Sequence, residues 1–215
     1  SIPKRVEVTT PPVDVEQRDI LAIRANSKNE LMVRKELMSN ADDISERVVE
    51  FYTFNELKND VASNFPLYSR ISLLEIEGRI KSASADAEAT EATPGASQDI
   101  IDFKYTILKE WENKKRALQL YGKPELPEIS SQAHVRIEVQ KGTEYSLFAK
   151  IQSELEEAIF VLRDKAAKEA FGESYGTIKS RYAVDKKKDS KMDKEKLDLL
   201  KILYPDKFIE VTPKK

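Results

Sequence analysis

Cysteine is absent from all 215 residues, so a disulfide framework, a thiolate metal site and a cysteine nucleophile are excluded by inventory. Histidine occurs once, at His134, which leaves too few imidazoles for a histidine-rich zinc site and no partner for a histidine relay. The EF-hand spacing D-x-[DN]-x-[DN]-G occurs nowhere, and neither a metal nor a cofactor is expected. An excess of one charge is also missing. The 36 basic and 38 acidic residues leave a net −2, without the basic footprint of a nucleic-acid binder. Carboxylates are plentiful, but no spacing singles out a pair for acid–base work, so no catalytic residue is assigned and an enzyme is not expected. No run approaches the ~18–20 apolar residues that cross a bilayer, and there is no signal peptide. The first residues, Ser1-Ile-Pro-Lys4, lack an initiator methionine, and the expectation is a trimmed chain whose membrane anchor precedes Ser1.

What is present is 40% apolar content, enough to bury the core of one compact domain with an elaboration. Two β-signals stand far apart. Ile20 to Asn26, Ser27 to Glu30 and Leu31 to Arg34 read as a hairpin leading into a helix. In Ala133 to Val139, Val135, Ile137 and Val139 face one way and His134, Arg136 and Glu138 the other; a turn at Lys141-Gly142-Thr143 then opens a long helix. His134 falls on the polar face and reads as solvated or lightly paired rather than as a ligand. The fold class expected is α+β: a small sheet with two helices packed on one face, a largely helical insert and a helical C-terminal extension.

Residues 1–19, with Thr9-Thr10-Pro11-Pro12 among alternating valines, read as an extended leader, and 20–215 as the domain proper. Asn40 or Ser39 caps a helix with Asp42 and Asp43 in its first turn and Ile44, Val48 and Phe51 on one face. Residues 55–131 are an insert. Within it a short helix is predicted from Ile71 to Ile80, and 82–96 is poor in large apolar side chains and reads as a mobile linker. Ser97 caps a helix through Tyr121 that stops at Gly122, with Trp111 expected to pack in the core. The long helix from Thr143 or Glu144 to Phe171 carries a stripe of Leu147, Ile151, Leu155, Ala158 and Leu162, which Glu154 interrupts; its end, from Arg163, is expected to project or to pack on the insert. Helices at Tyr175 to Tyr182 and Asp193 to Leu203 flank a lysine run read as a solvated loop, and Phe208 to Thr212 is a short closing strand.

The order of these segments resembles the periplasmic domain of the ExbD/TolR family, and in its extended form the longer ExbD proteins of Bacteroidota. The resemblance rests on Asp19 to Val33, the Asp42 to Tyr52 helix, His134 to Tyr145, Ile151 to Leu155, Leu162 to Asp164 and Tyr204-Pro205, about half the chain. It implies a homodimeric periplasmic module of an inner-membrane protein. Such a module is anchored by one N-terminal transmembrane helix in an ExbB-like channel subunit and passes proton-motive force to a TonB-like protein. The proton-carrying residue of the family lies in that helix, before Ser1. Two other readings stay open: a TolR-like protein that binds peptidoglycan, and a helical scaffold or adaptor. The partner-binding surface is placed on sheet edges, at Val6 and Val8 of the leader and at Phe208, Ile209, Val211 and Thr212 of the closing strand.

Overall fold

The structure is a computed structural model and describes residues 16–185 and 190–211, together with the backbone of 4–6. Val8, Thr212 and most of the lysine run lie outside these residues. In chain order the elements are β1 (Lys4–Val6), β2 (Ile20–Ala25), β3 (Leu31–Val33), β4 (Glu36–Met38), α1 (Ile44–Thr53), β5 (Tyr68–Ser72), α2 (Leu73–Glu91), α3 (Gln98–Tyr121), β6 (Glu125–Ile129), β7 (His134–Val139), α4 (Tyr145–Phe171), α5 (Tyr175–Val184), α6 (Lys191–Leu203) and β8 (Phe208–Val211). The fold is α+β. Two compact units divide it, one made of 1–69, 129–165 and 204–215 and the other of 70–128 and 166–203.

The first unit holds a six-stranded mixed sheet in the order β1-β8-β7-β2-β3-β4, and β5 pairs separately with β6. β2 and β7, the two β-signals of the sequence, run parallel in register from Ile20↔His134 to Ala25↔Val139. Side chains alternate across a strand, so Leu21, Ile23 and Ala25 fall on the same face as Val135 and Ile137, and all five are buried. That face receives α1 through Ile44, Val48 and Phe51, and α4 through Ile151, Leu155, Ala158 and Leu162, all buried. The two helices touch: Glu154 on α4 accepts from the Ser45 N–H of α1 at 3.2 Å, and Lys150 pairs with Asp42 at 2.5 Å.

The turns that hold the two signals together lie next to each other. Asn29 adopts a left-handed backbone (φ 62°), which Asn tolerates better than most residues, and its side chain accepts from the Glu144 N–H at 2.9 Å. The Thr143 hydroxyl donates to the Asn26 carbonyl at 2.8 Å. At Gly142 the backbone is left-handed (φ 97°), which favours glycine; a Cβ there would meet the Ser27 Cβ at an ordinary 3.4 Å, so the dihedral and not crowding sets the preference. The first β-signal proves to be a three-strand meander, with β4 added by a tight turn at Arg34 (φ 57°).

The second unit is helical, and here three expectations are corrected. Residues 82–91 are the second half of α2, not a mobile linker, and only the connection from Ala92 to Ser97 is non-helical. Alanine is the best helix former, the Ser72/Glu75 capping box starts the helix, and α3 supplies the packing that the small side chains could not supply alone. The pairs Lys115–Glu77 (3.1 Å) and Lys104–Asp86 (2.7 Å), with the Arg79 guanidinium 5.7 Å from the Trp111 ring, show α2 and α3 running antiparallel. Second, the insert and the C-terminal helices are one unit rather than two appendages. Leu199 and Leu200 of α6 are fully buried, and α6 packs on α3. Third, the end of α4, expected to project or to pack on the insert, packs on the C-terminal helices. Ala167 joins Tyr175, Ile178 and Leu200 in a cluster that Phe171 and Leu197 flank.

Candidate partner-binding edge

β8 enters the sheet beside β7, with Val135↔Phe208, Arg136↔Ile209, Ile137↔Glu210 and Glu138↔Val211 in parallel register. Directly paired residues share a face, so Phe208 lies with Val135 on the helix-covered side and is buried, while Ile209 and Val211 lie with Arg136 and Glu138 on the opposite side, partly exposed.

The segment that delivers β8 is fixed from beneath by buried polar groups. Arg163 of α4 donates from Nε and Nη2 to the Tyr204 carbonyl at 3.1 and 2.9 Å and reaches Asp206 at 3.4 Å. The Tyr52 hydroxyl donates to the Pro205 carbonyl at 2.5 Å, and the Tyr204 hydroxyl to Glu56 at 2.5 Å. The Tyr68 hydroxyl in turn donates to the Tyr52 carbonyl at 2.6 Å. Burial drives the pKa of both the Tyr52 and Tyr68 hydroxyls upward, so these donors keep their protons. Arginine at 163 is read in the sequence only as the start of an overhang, since nothing local shows that its partner lies 41 residues on.

The outer side of β8 is occupied. β1 runs parallel to it, with Lys4↔Ile209, Arg5↔Glu210 and Val6↔Val211. Leader and closing strand, which the sequence offers as two candidate edges, are thus neighbours in one sheet, and Val6 sits opposite Val211. Val8 and Thr212 lie outside the described residues. The other border of the sheet is β4, and no strand pairs with its outer side among the described residues. Leu37 there is 75% exposed, and Glu36 is held by Arg47 at 2.7 Å.

Both helices of the unit lie on one face, and the second face of the sheet is mixed, with Arg24, Arg136 and Glu138 beside Met32, Ile209 and Val211. The Arg24 Nε stands 2.6 Å from Glu138, with Arg136 Nη1 4.0 Å away from the same carboxylate. Arg24, Glu138, Met32 and Leu37 line a shallow cavity of about 230 Å³ with Asn26, Glu30 and Gln140. His134 uses Nδ1 toward the Gln132 carbonyl at 2.8 Å; a carbonyl only accepts, so Nδ1 carries the proton. Among the described residues no group of His, Asp or Glu is arranged to hold a metal ion, and no helix is long and apolar enough to cross a membrane.

No family model, no curated protein and no solved structure matches this chain.

Proposed function

We propose that this chain is the periplasmic part of an ExbD-like inner-membrane motor subunit, which takes up proton-motive force with an ExbB-like channel subunit and passes it to a TonB-like protein. The observation that carries the reading is the order of the first unit. A meander that opens with the β2–β3 hairpin, a helix, a strand parallel to β2, a tight turn, a second helix on the same face and a last strand occur there in this order, and all but β4 and the last strand fall on the residues that carry the sequence resemblance. The role is mechanical rather than catalytic. An extended segment of the TonB-like partner adds to the sheet at the β8 side, through main-chain hydrogen bonds that require no particular side chain, while Ile209 and Val211 supply selectivity. Because β1 already lies along β8, the partner displaces the leader, and occupancy of the edge becomes the switch. On this reading the module works as a homodimer, and attachment to the membrane raises its effective concentration.

The test uses the full-length gene product, co-expressed with the channel subunit and the TonB-like protein. A photo-crosslinker at position 209 is expected to capture the TonB-like protein, less so after a protonophore, and Val211→Pro is expected to abolish capture by removing a main-chain donor. Capture that persists unchanged with Val211→Pro in a folded domain would overturn the edge assignment. Co-sedimentation with purified peptidoglycan sacculi, with no crosslink to the TonB-like protein, would replace the motor reading by a TolR-like one.

A further inference from the structure

The distal half of the α2–α3 hairpin is poorly covered from within. From Ser82 to Thr106 the only fully buried side chain is Ala87. The α2–α3 seam buries one face of each helix, and an apolar stripe on another face is free to make a second contact. On α3 that second contact is exposed: Ile100 is 52% and Phe103 61% exposed, and Ile107, one further turn on, completes the i, i+3, i+7 stripe.

Charge separates the hairpin end from the rest of the molecule. Residues 82–107 contain Asp86, Glu88, Glu91, Asp99 and Asp102 against Lys104 alone, a net of −5 + 1 = −4, whereas the whole chain carries −2, so everything else sums to −2 − (−4) = +2. The one lysine is already paired with Asp86 at 2.7 Å. Asp99 stands one turn before Phe103 on the same side of α3, next to the apolar stripe.

We propose that the outward face of α3 at Ile100, Phe103 and Ile107 is a docking surface for a basic polypeptide segment that carries one aromatic or large aliphatic anchor. The apolar stripe takes the anchor, Asp99, one turn from Phe103 on the same side of α3, takes a lysine or arginine, and the net negative charge of the hairpin end speeds the encounter. Phosphate-bearing partners are repelled by the same field. Face-to-face pairing with a second copy brings one −4 surface against another, which disfavours it. The inference stands on the second unit alone and does not depend on the motor reading.

The experiment pans a short random-sequence peptide display library on the intact chain, subtracting binders of Phe103→Ser. Phe103 is largely exposed, so this variant is expected to keep the wild-type circular dichroism and melting point; Phe103→Lys serves as a second variant that also inverts the local charge. Enriched sequences are expected to be cationic with an aromatic or leucine anchor. The best synthetic peptide is expected to bind about tenfold more weakly to Phe103→Ser, more weakly to Asp99→Asn/Asp102→Asn, and more weakly as salt rises. Enrichment that does not depend on Phe103, or neutral and acidic enriched sequences, would overturn the proposal. So would sedimentation showing a dimer that Phe103→Ser abolishes, since a second copy would then be the occupant.

Discussion

Glu154 on α4 accepts a hydrogen bond from the backbone N–H of Ser45, 3.2 Å away in the first turn of α1. The first N–H groups of a helix have no partner within it, and the positive end of the helix dipole favours an anion there. A carboxylate borrowed from a helix more than a hundred residues later does both tasks. Lys150, 3.0 Å from Glu154, keeps the buried charge paired.

Replacing Glu154 with Ala should therefore destabilise the first unit by about 1–2 kcal/mol, as loss of a cap generally does. Glu154→Gln, which keeps an acceptor, should lose less. Urea midpoints at fixed pH measure both, and two midpoints equal to the native one would show that the contact contributes nothing.

Asp19 behaves in the opposite sense. It is buried, its Oδ1 has no hydrogen-bond partner, and burial raises its pKa above the ordinary 3.8, against the lowering influence of the Ser130 hydrogen bond and of Arg18 and His134; Glu16 adds to the rise. The folded chain thus holds this proton when the unfolded chain has released it. Stability from this group is complete below pH 3.8 and declines as pH rises through the raised value. Asp19→Asn, which cannot ionise, should gain on the native chain between acid and neutral pH. Melting points across that range check the sign, and a difference that is flat or falls with pH would contradict it.

An exposed alanine in the middle of α2 tests whether 82–91 is helical in solution. Ala85→Gly should cost about 1 kcal/mol and reduce the far-ultraviolet helix signal, because glycine is about that much worse in a helix interior. In a coil the same change would be silent.

Pairing of β1 with β8 predicts an effect across the whole length of the chain. Removing residues 1–7 should leave the core folded but speed deuterium uptake in a peptide covering 208–211, since one side of β8 loses its partner. Unchanged uptake there would mean that the leader does not protect the edge.

The sequence makes the first unit legible because its signals are local. Alternation at Val135 and Ile137 and the stripes of α1 and α4 each report which face is buried without knowledge of what covers it, while the first β-signal is visible as an apolar run in which Leu21, Ala22 and Ile23 are all buried. The second unit is not legible in the same way. Its α2 is built of alanines whose burial at Ala87 depends on α3, and α6 finds its partner in α3 some eighty residues earlier. Composition alone therefore reads residues 82–96 as a linker. The short β5 and β6 are missed because they exist only as each other's partner. Of the candidate edge, Phe208 to Val211 is visible as a strand from its β-branched and aromatic residues, but that Val6 would face Val211 is a tertiary fact. Glu154 interrupts the stripe in the sequence and Arg163 reads as the start of an overhang, and each is explained by a donor or acceptor far away in the chain.

β1 and β8 run in the same direction, with the chain entering the sheet along one and leaving it along the other. Tension applied through the residues before Lys4 and after Val211 therefore pulls the two strands past each other along their length. All the bonds of the pair are loaded together, as in shear, rather than opened one at a time as at the end of a hairpin. A pull on the leader alone has a different effect: it tests only the three-residue register that joins Lys4–Val6 to the sheet, so the strand can slip free at a force that leaves β8, seated on β7, in place.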